Sequence, residues 1–93
     1  MNILSGEAVT TEASRIIRRL CKHWGHKYPV QFDDATGVIQ LNDVRVTLRA
    51  EPQRVVVTLE NPLADVPLRL QGVVAEHMQR MAAEPLDVRW AAP

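Results

Sequence analysis

The sequence predicts an α+β domain: a two-layer sandwich with one antiparallel sheet and two helices on one of its faces. Three observations carry that class. Apolar residues recur at helical spacing in two segments, Ala13 to Trp24 and Leu70 to Met81. Between them, short runs alternate apolar and polar side chains with a period of two. Tight-turn residues punctuate those runs at Asp34-Ala35-Thr36-Gly37, Asn42-Asp43 and Glu51-Pro52-Gln53. At 93 residues the chain makes one domain, spanning 1–93.

The elements follow in order. Ile3 to Val9 gives a weak signal for a short edge strand. Thr10 or Thr11 can cap the first helix, and Glu12 suits the positive end of its dipole. Ala13, Ile16, Ile17, Leu20, Cys21 and Trp24 form its apolar stripe, with Arg15, Arg18, Arg19, Lys22 and His23 opposite. Gly25 reads as a left-handed stop. Pro29 begins an extended region, in which Val30 and Phe32 face one way and Gln31 and Asp33 the other. Val38–Leu41 is a second strand, and Asn42-Asp43 closes a two-residue hairpin. Val44, Val46 and Leu48 alternate with Arg45, Thr47 and Arg49 in a third. Arg54–Glu60 is a fourth, ended by Asn61-Pro62.

Asp65 is the expected cap of the second helix, whose stripe is Leu70, Val73, Val74, His77, Met78 and Met81. Glu84-Pro85 stops it, and Leu86, Val88 and Trp90 alternate with Asp87 and Arg89 in a last strand. The order is α-β-β-β-β-α-β. Short turns make the four middle strands a meander. A right-handed crossover would bring the last strand beside the first, giving the spatial order 5-1-2-3-4.

Composition limits the function classes. Charges balance at 11 basic and 11 acidic residues, so net charge gives no reason to invoke nucleic acid or an anionic membrane. Cys21 is the lone cysteine, which rules out an intramolecular disulfide. No stretch has the signature of a signal peptide or of a membrane helix. The location expected is cytoplasmic. Trp24, Tyr28, Phe32 and Trp90 are too few for a base-stacking platform.

The densest run of reactive side chains is Cys21-Lys22-His23-Trp24-Gly25-His26-Lys27. Cys21 and His23 lie about 200° apart on a helix, so they cannot face one metal ion together. His23 and His26 lie about 60° apart if the helix continues, which makes them the weak metal candidates. The plain alternative is a solvated helix end. His77 stands where periodicity demands an apolar residue. It should be partly buried, hydrogen-bonded and within reach of Cys21, Trp24 or His26. A Cys21–His77 pair would be the basis of an enzyme. Against that, Cys21 lies on the apolar face, where burial should leave it slow to react.

The run Leu20 to Lys27, the segment Arg69-Leu70-Gln71-Gly72-Val73-Val74-Ala75-Glu76-His77-Met78 and the later Val88-Arg89-Trp90 resemble a small bacterial family, domain of unknown function 2218. The resemblance covers nearly the whole chain. Its motif positions are Cys21, Lys22, His23, Trp24, His26, Lys27, Gln71 and His77. Arg80-Met81-Ala82 stands where the family pattern has an aromatic in an Arg-Phe-Ala segment. The family name implies no activity. What the resemblance does imply is an accessory part in iron or siderophore handling, beside siderophore-reductase-type proteins.

The leading expectation is therefore a binding or accessory module. Lys22, His23, His26 and Lys27 would meet an anionic small molecule, with Trp24 and His77 shaping the wall. The alternatives are the Cys21/His77 enzyme and a structural homodimer acting through the open sheet face near Val56. The residues name no cofactor.

Overall fold

Alternation and turn chemistry set the sheet. A computed structural model describes residues 2–91. It contains β1 (Ile3–Val9), α1 (Ala13–Trp24), β2 (Val30–Phe32), β3 (Thr36–Leu41), β4 (Val44–Glu51), β5 (Arg54–Glu60), α2 (Arg69–Met81) and β6 (Arg89–Trp90). The six strands form one sheet in the order β2-β3-β4-β5-β1-β6, and every neighbouring pair is antiparallel.

Register aligns the inward residues into rows. Ile39, Val46, Leu59 and Leu4 stand side by side across β3, β4, β5 and β1. They bury against Ile16, Ile17, Leu20, Cys21 and Trp24 of α1 and Val74 and Met78 of α2, in one core. Burying each large aliphatic side chain contributes about 1.5–3 kcal/mol. The helices therefore share one face of the sheet, as the antiparallel architecture allows. The other face is polar. Glu51 on that face accepts hydrogen bonds from both Arg49 and Arg54, and Arg54 also pairs with Glu7 across the strands.

The helices run antiparallel. At one end Ala83 N–H donates to the Glu12 carboxylate and Arg19 to the Met81 carbonyl. At the other, Trp24 meets His77. This arrangement corrects the expected place of the last strand. The meander order stands, but β6 lies at the far edge, beside β1 instead of β2. The chain leaves α2 near Glu12, next to the end of β1, so β1 is the edge within reach. β1 itself pairs with β5 from Ile3↔Glu60 to Val9↔Arg54. Its inward residues Leu4, Gly6 and Ala8 are mostly small, which is why the segment reads weakly. Gly6 accommodates Trp90 of β6, since a Cβ there would lie 2.9 Å from the indole.

Three local expectations also change. Gly25 is right-handed, at φ −60°. The chain turns on past it, with Lys27 and Tyr28 N–H both donating to the Trp24 carbonyl, and Pro29 ends the turn. Glu12 holds the N-cap position of α1, while Thr10 Oγ1 accepts from its N–H at 3.0 Å. Leu68, not Asp65, precedes α2. Its first turn closes by backbone bonds from Leu70 to Pro67 and from Gln71 to Leu68. Asn42 does take positive φ, at 56°, and turns β3 into β4 as expected.

Candidate functional site

Four segments converge at the Trp24–His77 end of the sandwich and enclose a groove of about 820 Å³. The end of α1 and the turn after it bring His23, Trp24, His26, Lys27 and Tyr28. The β3–β4 hairpin brings Leu41 to Val44, and its turn is braced by Gln40, which donates to the Asn42 carbonyl at 2.8 Å. The loop after β5 brings Asn61, Asp65 and Pro67. Asn61 is buried and accepts from the Leu63 N–H at 3.0 Å, which fixes that loop. Helix α2 brings Arg69, Leu70, Val73 and His77.

His77 is the pivot. It is partly buried, and its ring centroid lies 4.8 Å from that of Trp24 and 5.7 Å from that of His23. Nδ1 sits 2.7 Å from the Val73 carbonyl oxygen, four residues back in the same helix. A carbonyl accepts only, so Nδ1 is the donor. The expected reach from His77 to Trp24 is thus present, as is the expected hydrogen bond.

The Cys21–His77 pair of the alternative enzyme reading is not formed: no hydrogen bond joins Cys21 to His77 among the described residues. Cys21 is fully buried on the opposite flank of α1. Its sulfur faces Gly37 of β3, where a Cβ would lie 2.8 Å from Sγ. Burial pushes the thiol from 9.0 up to about 11. Lys22 is exposed on α1 and does not line the groove. Of the residues singled out as ligand contacts, His23, Trp24, His26, Lys27 and His77 share the groove.

Charge in the groove is mixed. Lys27 and Arg69 line it, and so do Asp43 and Asp65. Among the described residues, no group of three or more His, Cys, Asp or Glu side chains is placed to hold a metal ion. His23 and His26 thus lack a third such ligand. Sequence reasoning missed Arg69, Asn42, Asp43 and Asn61 as groove residues. Asn42-Asp43 signalled only a turn, and Arg69 only the start of a helix.

With this geometry in view, the comparisons define the class. The chain belongs to the family described as an uncharacterized protein conserved in bacteria, domain of unknown function 2218, whose model matches residues 5–91. Its fold is similar to that in the NMR structure of PA4090 from Pseudomonas aeruginosa. The two share 38% identity at a TM-score of 0.78, over 98% of this chain and 96% of that one. No curated protein matches.

Proposed function

We propose that this protein is a binding module that takes a small anionic molecule into the groove between the end of α1, the β3–β4 hairpin and the start of α2. The observation that carries the reading is the convergence of Lys27, Arg69 and three histidines on one concave site. Apolar wall comes from Trp24, Leu41, Val44, Leu70 and Val73. A concave site with an apolar wall and few convergent polar groups is the usual form of a small-molecule site. Asp43 in the same groove favours a ligand that carries hydrogen-bond donors as well as negative charge.

An accessory part in iron or siderophore handling rests on the family resemblance alone and is proposed as context for the ligand. Against the enzyme reading stand the buried, high-pKa thiol of Cys21 and the use of His77 Nδ1 by the Val73 carbonyl. The test is a titration of the protein with citrate, malate, tricarballylate, succinate and inorganic phosphate, followed by backbone amide shifts. Saturable shifts at Lys27, Asn42, Arg69 and His77 are expected. Lys27→Ala and Arg69→Ala should each weaken binding about threefold to tenfold. Absence of shifts at these residues up to tens of millimolar, roughly the weak limit of specific binding, overturns the reading.

A further inference from the structure

The hydrogen bond that positions His77 also fixes what its other nitrogen can do. Nδ1 lies 2.7 Å from the Val73 carbonyl, so in the neutral ring Nδ1 carries the proton and Nε2 carries the lone pair. The two nitrogens lie on opposite sides of the ring. With Nδ1 turned back onto its own helix, Nε2 is directed away from the α2 backbone. Among the described residues no side chain or backbone group bonds it, while His77 itself lines the groove. The ring packs beside α1, with Trp24 at 4.8 Å and His23 at 5.7 Å between centroids. The neutral imidazole therefore presents an acceptor to whatever occupies the groove.

An acceptor that lines the same groove as Lys27 and Arg69 selects more than charge. A plain carboxylate has nothing to donate to it, and its lone pairs would face the lone pair of Nε2. A ligand that bears a hydroxyl beside its carboxylate can satisfy both. We infer that the groove is selective for hydroxycarboxylates, with the ligand hydroxyl donating to His77 Nε2 and the carboxylate meeting Lys27 or Arg69. Asp43, which also lines the groove, is an acceptor too, so it favours the same hydroxyl-rich class. The inference rests on the proposed binding function and adds the chemical class of its ligand. His77 here is a binding residue whose tautomer determines specificity.

The test uses pairs that differ by one hydroxyl: citrate against tricarballylate, and malate against succinate. Affinities are measured by calorimetry in one buffer for all four acids. The hydroxylated member of each pair should bind about fivefold to tenfold tighter, the worth of one satisfied hydrogen bond. In His77→Phe that preference should vanish, so that the two members of each pair bind alike. Long-range nitrogen–proton correlation on the wild type gives a reading that needs no variant, and it should show Nδ1 protonated and Nε2 bare. Equal affinity within each pair, or a protonated Nε2, overturns the selectivity and leaves anion binding in place. Failure of all four acids to bind overturns the groove reading itself, and the inference with it.

Discussion

Cys21 shows how strongly the fold alters one side chain. It reads as a candidate nucleophile by its neighbours in sequence and as a core residue by its phase on the helix. The phase decides, because a thiol that is 0% exposed has no reagent to meet. Burial lifts its pKa from 9.0 to about 11, so the folded chain holds a proton that the unfolded chain loses in that window. In that window the folded state binds more protons than the unfolded state, and stability must fall as pH rises. The contribution is fully present below 9 and declines toward 11. Urea midpoints should drop across this alkaline window, and Cys21→Ala should flatten part of the drop. At neutral pH a thiol reagent should label the native protein far more slowly than the denatured one. Fast native labelling would show that the site opens. The same argument from phase made His77 legible: an imidazole in an apolar stripe needs a partner, and Val73 supplies it.

At the scale of elements, α1 lies against β3 at Gly37. A methyl group there would come within 2.8 Å of both Cys21 Sγ and Ile17 Cγ2. Neither atom has room to retreat, since both side chains are fully buried. Gly37→Ala should therefore cost about 1–3 kcal/mol of stability by urea denaturation. Placing it in a Cys21→Ala background should recover part of the loss, because one of the two clashing atoms is gone. An unchanged midpoint in the single variant would mean that the helix is not seated there. Elements whose signals are local were readable: the hairpin at Asn42 needs only a residue that tolerates positive φ. The end of α1 was less so. Gly25 permits a left-handed stop without requiring one, and Pro29 with the Trp24 carbonyl sets the actual turn.

Across the whole molecule, the two layers and the meander follow from pattern, whereas the placing of β1 and β6 depends on where α2 delivers the chain. The same limit applies to the groove. His23, Trp24 and His77 were legible because each helix has a fixed phase, whereas Arg69 at the first position of α2 signalled only a helix start. Asn42, Asp43 and Asn61 enter from elements whose distance from α1 no periodicity encodes. β1 illustrates the cost of such placement. β3, β4 and β5 pair through short turns, but Ile3 meets Glu60 only across most of the chain. Closing that large loop costs entropy before any contact rewards it. The meander should therefore gain amide protection first during refolding, with β1 and then β6 docking late. Leu4→Ala should speed unfolding and leave the folding rate nearly unchanged. An equal slowing of folding would put β1 in the nucleus. During synthesis the first strand made would be among the last to find its seat. Until then the β5 edge, lined by Val55, Val57 and Leu59, stays open to another chain, so the interval before β1 docks is when this protein is most exposed to aggregation.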